Sequence, residues 1–405
     1  MQTIYVEKNI PRIALIKALA PVRSDIYFSR LSPLKLGRVD GRLPGPKWVR
    51  VENQLAGICG SDLHLVYADV DLRIAPAALP STDRIYLGHE IVGRVAEIGP
   101  EVTKLAVEDR VALQYNLGCC LSEGIDPPCR YCAAGNAYLC ENAPECDSEP
   151  AGGGWGEGFL AHQAHLFRVP DVLSDEEAVL LEPAAVGVHA VLRRPPAPGQ
   201  RALVLGCGII GLLTLQAARA VAPEAEITAI ARHPHQAVAA RRLGADHVLT
   251  GKFDAYSMIA RLTGARRYKG MLGNQMLVGG FDVVYDCVGS ARTVEDALRW
   301  TRAGGAVVVV GVDLNRLRLD LTPVWYYEVD LLGSMANGAE SWKGEHVSTF
   351  ELTARWFGEG KLTAEGLITH RFPLADYHKA IETATDKSRE SIKVVFDLED
   401  RGVSG

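Results

Sequence analysis

The chain has 405 residues, 48% of them hydrophobic and 23% charged, which predicts two or three domains and excludes intrinsic disorder. Lys and Arg number 43 against 49 Asp and Glu, a net charge of −6, which excludes the basic footprint of a non-specific nucleic-acid binder. No run reaches the roughly 18 apolar residues of a membrane span, and nine cysteines, an odd number in so long a chain, do not read as a secreted disulfide scaffold.

Residues 13–20 are apolar and end in an Ala-x-Ala pattern. Lys17 lies inside them and no positive cluster precedes them, so they read as a first buried strand rather than an export signal. Residues 48–51 and 91–98 alternate like half-buried strands. Pro44-Gly45-Pro46, Gly88, Gly93 and Gly99 mark turns. Residues up to about 185 therefore read as a mostly β unit. The character changes after Pro195-Pro196-Ala197-Pro198-Gly199. Continuous apolar strands are expected at 201–205, 226–230, 281–286 and 306–310, with helices at 209–222 and 236–243. That alternation predicts a parallel sheet covered on both faces. Residues 263–280 read as an insertion. Past about residue 337, helices and one last strand at 392–396 are expected, with 401–405 frayed.

Three motifs carry chemistry. The first is Gly57-Ile58-Cys59-Gly60-Ser61-Asp62-Leu63-His64, followed by Gly88-His89-Glu90. A thiolate, an imidazole and carboxylates suit a borderline-soft divalent metal, zinc above all. Alone, Cys59 would read as a buried structural cysteine. Glu182, in Leu181-Glu182-Pro183, adds another carboxylate just before an apolar helix, where a negative charge is favourable in any case.

The second motif is Cys129-x2-Cys132-x7-Cys140, preceded by Cys119-Cys120; six of the nine cysteines fall between Cys119 and Cys146. Four thiolates this close, with Gly and Pro between them, suit a closed tetrahedral structural zinc. Spacing leaves open whether Cys119 or Cys120 is the first ligand. The gap between Cys120 and Cys129 predicts an extra loop, and Cys146 reads as a spare.

The third is Gly206-Cys207-Gly208-Ile209-Ile210-Gly211, which follows a strand and opens a helix, as a dinucleotide fingerprint requires. The glycines allow a tight turn and let a pyrophosphate approach the helix N-terminus. The acidic residue expected roughly 20 residues later, where it would hold a ribose 2′-hydroxyl, is absent. Ala231-Arg232 stands there instead, leaving room and positive charge for a 2′-phosphate. NADP(H) is therefore favoured over NAD(H).

Together these residues resemble the zinc-dependent medium-chain dehydrogenase/reductase family, from about residue 30 to 397. Glu182-Pro183 followed by Val186-Gly187-Val188-His189 resembles its sorbitol and threonine dehydrogenase branch rather than the liver alcohol dehydrogenase type, which has a cysteine there. The resemblance implies an α/β chain: a GroES-like β catalytic domain over 1–187 and 338–405, with a structural-zinc lobe at about 117–146, and a Rossmann doubly wound coenzyme domain over 188–337, the active site lying in the cleft between them. It implies that Cys59 and His89 bind a catalytic zinc, completed by Glu90 or Glu182. It also implies that Ser61 touches the substrate oxygen and relays its proton toward His64, and that Asp62 orients a zinc ligand.

The expected activity is hydride transfer between an alcohol (a polyol, sugar or secondary alcohol) and NAD(P)+. Zinc acts as Lewis acid and the coenzyme carries the redox chemistry. A small-molecule alcohol or carbonyl substrate and a cytoplasmic homodimer or homotetramer follow from the same resemblance, while the acidic balance and the lack of a long apolar run give no expectation of a nucleic-acid or membrane partner. Two alternatives use the same residues: a non-redox coenzyme-binding regulator, and a zinc-dependent lyase or isomerase. Cys59, His89 and the cysteine lobe disfavour a zinc-free quinone reductase. The N-terminal extension, the lengthened lobe and the 263–280 insertion depart from a typical member.

Overall fold

The structure of the protein, a computed structural model, describes residues 1–76 and 82–399. The expected fraying at 401–405 lies outside the described residues. Two compact units result: Met1–Glu182 with His346–Gly358 and the chain from Ala364 onward, and Pro183–Glu345 with Glu359–Thr363.

The first unit is built on an eight-stranded sheet. Its strand order is Ile368–Phe372, Lys393–Asp397, Trp48–Gly57, Ile91–Ile98, Arg110–Leu113 and Leu166–Arg168, with Gly158–His162 and Ala151–Gly152 branching from Trp48–Gly57. Val49 and Val51 are fully buried while Arg50 and Glu52 point outward, the period-two alternation of a one-face-buried strand. Cross-strand partners Arg50 and Glu97 close an ion pair at 3.1 Å on the open face. The register is what matters for function. Ala56 pairs with Ile91 and Gly57 with Val395. One strand thus ends just before Cys59, its neighbour starts just after His89-Glu90, and a third starts at Lys393. Residues distant in sequence meet at one end of the sheet.

Residues 13–20 are not a strand. They belong to the helix Ile10–Leu19, whose N-cap Asn9 accepts the Arg12 N–H at 3.1 Å and whose first turn carries Pro11. Asn followed by Pro at the helix entrance is a start signal, and the apolar run behind it, rich in Ala and Leu, continues as helix. Only Ile16 of this helix is buried. The preceding strand, Gln2–Glu7, pairs instead with Leu34–Arg38 and Arg84–Tyr86.

The second unit contains a six-stranded parallel sheet in the order His247–Thr250, Glu226–Ala231, Arg201–Leu205, Phe281–Asp286, Thr301–Val309 and Asp330–Gly333. This is the doubly wound order of dinucleotide-binding domains. Residues Ala202, Leu203, Val204, Val284, Ala306, Val307 and Val308 are fully buried, as strands covered on both faces require. The 263–280 insertion adds no parallel strand. It forms an antiparallel hairpin of Arg266–Lys269 and Gln275–Val278. Past residue 337 the chain holds more strand than expected: Ala339–Trp342, Glu345–Ser348 and Ile368–Phe372 precede Lys393–Asp397. These are short and flanked by polar residues, so their hydrophobic alternation is weak in sequence. No helix among the described residues is long and apolar enough to cross a membrane.

Candidate active site

Cys59 occupies the N-cap position of the helix Gly60–Val66, in extended conformation. Its own N–H donates to Asp62 Oδ2 at 3.2 Å, while Asp62 Oδ1 accepts the Gly88 N–H at 3.1 Å and lies 3.6 Å from His89 Nδ1. One buried carboxylate thereby ties the loop bearing Cys59 to the loop bearing His89. The donor atoms of Cys59, His89 and Glu90 lie within 4.8 Å of one another.

The electrostatics fit a cation. Burial works against protonation of His89, yet Asp62 and the Cys59 sulfur outweigh it and hold the imidazole well above its ordinary value. Burial pushes Glu182 up to about 7, with His89 pulling the other way and Glu90 adding to the rise. A pocket whose sulfur and carboxylates hold an imidazole well above its ordinary value, and whose burial raises a carboxyl beside it, is short of positive charge. A divalent metal would supply it.

Glu90 and Glu182 are placed differently. Glu90 belongs to the close donor group, but both its oxygens are held by Lys393 Nζ, at 2.7 and 2.6 Å, and Lys393 also donates to the Ile58 carbonyl at 3.0 Å. Glu182 stands in the first turn of the helix Leu181–Arg193, buried and electrostatically coupled to His89, Glu90 and Asp62 but outside the 4.8 Å group. Lys393 was not legible as a site residue, since it lies 303 positions from its partner. Burial disfavours its charge, and Glu90, Cys59 and Glu182 together more than restore it.

Ser61 sits in the first turn after Cys59. His64 Nδ1 lies 3.1 Å from Asp69 Oδ2, which fixes its ring. No hydrogen bond joins Ser61 to His64 among the described residues.

In the cysteine lobe the sulfurs of Cys120, Cys129, Cys132 and Cys140 lie within 4.8 Å of one another. Cys120 and Cys140 are 3.6 Å apart, and Cys129 and Cys140 3.9 Å apart. Four thiolates around zinc at ~2.3 Å would stand ~3.8 Å apart, so the donor set fits that metal. The main-chain N–H of Cys129 and the side-chain amide of Asn142 both point at the Cys120 sulfur, each at 3.3 Å. Cys119, the other candidate, turns away: its sulfur accepts from the Ser122 hydroxyl at 3.8 Å. Cys146 is also apart, donating to the Asn142 carbonyl at 3.2 Å. We expect Cys132→Ala to lose about one zinc per chain and to lower the melting temperature more than it lowers turnover, because a closed metal site contributes folding free energy directly. Unchanged metal content and melting temperature beside reduced turnover would refute a structural lobe.

In the second unit, Gly206, Gly208, Ile209, Ile210 and Gly211 form the turn from Arg201–Leu205 into the helix Ile209–Val221. A Cβ at Gly211 would lie 1.7 Å from the Gly206 carbonyl oxygen, whereas one at Gly208, the helix N-cap, would meet nothing within 4 Å. Backbone thus packs tightly on one side of the turn and leaves an open cradle on the other. The first helical turn carries no acidic residue, so its N–H groups and dipole are free for a phosphate. Arg232 is exposed just beyond the strand Glu226–Ala231 and has no partner among the described residues.

Two family models match: the alcohol dehydrogenase GroES-like domain over residues 45–171, and the zinc-binding dehydrogenase over residues 210–350. L-idonate 5-dehydrogenase of Vitis vinifera is 33% identical, across 87% of this chain and 89% of its own length. The chain belongs to the zinc-type medium-chain alcohol dehydrogenases, in the sorbitol dehydrogenase branch. Sorbitol dehydrogenase of Arabidopsis thaliana is 32% identical over the same shares. A putative zinc-binding dehydrogenase from Sinorhizobium meliloti, solved bound to NADP, superposes with a TM-score of 0.69 at 26% identity, covering 90% of this chain and 96% of that one. This dehydrogenase is therefore an NAD(P)-dependent oxidoreductase of alcohols.

Proposed function

We propose that this enzyme oxidises a polyol or secondary alcohol to the carbonyl with NADP+, giving NADPH and a proton, at the centre formed by Cys59, His89 and a glutamate. The observation that carries the reading is the convergence of sulfur, imidazole and carboxylate donors within 4.8 Å. A zinc ion held by these residues supplies a Lewis acid that makes the alcohol hydroxyl more acidic. The nicotinamide coenzyme supplies the hydride acceptor. Glu90 is the better-placed carboxylate, with Lys393 sharing it, and Glu182 is a reserve of negative charge beside it. Ser61, in the first turn after Cys59, takes the hydroxyl proton at Oγ as it releases its own toward solvent, and His64, braced by Asp69 on the same helix, is the proton carrier next in line. A panel of polyols, secondary alcohols and their carbonyls, assayed with both coenzymes, tests the reading; no turnover of any alcohol with either coenzyme overturns it.

The NADP(H) preference rests on Ala231-Arg232. Ala231 offers no carboxylate to bind the ribose hydroxyls or repel a phosphate, and the unpartnered Arg232 offers charge-assisted bonds to one. Such a bond contributes about 1.5–3 kcal/mol, or roughly a 10- to 150-fold preference, muted by salt because the arginine is exposed. We expect Arg232→Ala to raise KM for NADP by that factor relative to NAD, and Ala231→Asp with Arg232→Ala to reverse the preference. Equal or better kcat/KM with NAD in the wild type at moderate salt overturns the assignment.

A homo-oligomer is supported by the edge strand Asp330–Gly333, whose Leu331 is exposed, and by Trp325 and Tyr326 nearby in sequence, 72% and 64% exposed. A cytoplasmic setting is supported by the free thiols of all nine cysteines.

A further inference from the structure

The helix Ile10–Leu19 is turned inside out. A surface helix ordinarily shows its apolar stripe to the core and its charges to water, yet here only Ile16 is buried. Pro11, Ala14, Leu15, Ala18 and Leu19 are all exposed. At about 100° per residue they fall on one face, with Ile10 at its edge. Ile10, Leu15 and Leu19 are 48%, 42% and 38% exposed, and Val22, just past the helix, is 91% exposed. The Val22 N–H donates to the Leu19 carbonyl at 3.0 Å, so the chain still turns there and the apolar strip extends beyond the last helical residue.

The charges around this strip are of one sign. Residues 8–24 hold Lys8, Arg12, Lys17 and Arg23 and no acidic residue, in a chain whose net charge is −6. On the same projection Arg12 borders the apolar face on one side and Lys17 on the other. Lys17 is exposed, and its Nζ donates to the Val70 carbonyl at 3.0 Å, a bond that leaves its charge in place. Arg12 meets Glu7 at 3.0 Å and Arg23 meets Asp25 at 2.9 Å, both at the surface, where an ion pair is weak and exchanges readily. Whatever covers an apolar face rimmed by cations must offer hydrocarbon bounded by anions. An anionic phospholipid surface does so, with acyl chains below and phosphates level with the basic rim. Nucleic acid would set phosphates against Leu15 and Val22. A second copy related by a two-fold axis would set like charges together, because such a contact repeats one patch on both sides.

We propose that residues 10–23 are an in-plane anchor that docks this dehydrogenase on an anionic phospholipid surface, with Leu15 and Val22 entering the interface and Arg12, Lys17 and Arg23 meeting the headgroup phosphates. Such binding needs neither a positive chain nor an apolar run long enough to span a bilayer, only a local helix that is basic and apolar together. Each basic residue held near an anionic leaflet is worth about fivefold in partitioning. A short helix with a few such residues therefore gives a reversible, salt-sensitive association. The anchor does not depend on how the catalytic centre works.

The test is flotation of the full chain with vesicles of phosphatidylcholine alone and of phosphatidylcholine with about one third phosphatidylglycerol. Wild type should float with the anionic vesicles and not with the neutral ones, and should come off at about 1 M salt, where charges are screened within a few ångströms. Leu15→Gln with Val22→Gln keeps every charge and should lower the partition coefficient about tenfold. Lys17→Gln with Arg23→Gln keeps the apolar strip and should lower it about 25-fold, two fivefold steps. Val172→Gln, at an exposed apolar residue elsewhere in the same unit, should leave it unchanged. Thermal melting and alcohol oxidation without vesicles should match wild type in all three, because the exchanged side chains are exposed. No binding to anionic vesicles, equal binding to both kinds, or an equal loss in Val172→Gln overturns the anchor. So does an altered sedimentation coefficient of the Leu15→Gln, Val22→Gln protein without vesicles, which would make this face a contact between copies. Each of these outcomes leaves the dehydrogenase reading standing.

Discussion

Replacing Cys59 with alanine is expected to abolish alcohol oxidation and to leave a folded protein that still binds coenzyme. The fold survives because the loop is held by main-chain bonds that do not use the sulfur: Asp62 receives the N–H groups of Cys59 and Gly88. Chemistry does not survive, because one of three close donors is gone and an open catalytic site has few ligands to spare. Metal analysis should show about one zinc fewer per chain. The Lewis-acid contribution amounts to several kcal/mol of the barrier, so the rate should fall by at least about 10³, at about 1.36 kcal/mol per decade. Full activity in a metal-depleted Cys59→Ala protein would show that the centre has another purpose.

Lys393→Met should be the most destabilising single change near the site. Lys393 and Glu90 are each 1% exposed and meet at 2.6 Å. Such a pair adds little net stability, because its attraction offsets two desolvation penalties. Removing one partner is different, since the other charge stays buried without compensation, at a cost of about 3–5 kcal/mol. The thermal midpoint of Lys393→Met should drop accordingly. Adding Glu90→Gln should recover most of that loss, because no buried charge then remains, while activity stays low for want of the carboxylate. Equal midpoints for wild type and Lys393→Met, or a double variant no better than the single, would mean that the pair is solvated and energetically idle. Calorimetry on metal-stripped protein is the proper measurement, so that a metal ion does not substitute for the missing ammonium.

The parts of this dehydrogenase legible in its sequence are those whose residues act as neighbours along the chain. The glycine turn at Gly206-Cys207-Gly208 is one, since a tight turn into a helix needs its glycines at fixed offsets. The cysteine lobe is another, since a closed metal site recruits ligands a few residues apart. The parallel sheet was legible because strands buried on both faces become continuous apolar runs. The strands past residue 337 were not, being short and edged with polar residues, and residues 13–20 misled because an apolar run says nothing of helix or strand until its capping residue, Asn9, is weighed.

What only the tertiary structure decided is pairing at a distance and side-chain direction. Lys393 and Glu90 are separated by 303 positions and meet because the register of three strands ends them together. Cys119 and Cys120 are adjacent, equal in chemistry and equal in spacing. Yet one stands at the N-cap in extended conformation and the other in the first helical turn, so their sulfurs diverge and only Cys120 joins the four. Composition and spacing carry ligand type and loop length. They carry no information on which way a side chain leaves the backbone, because that depends on dihedral angles set by the packing of everything around it.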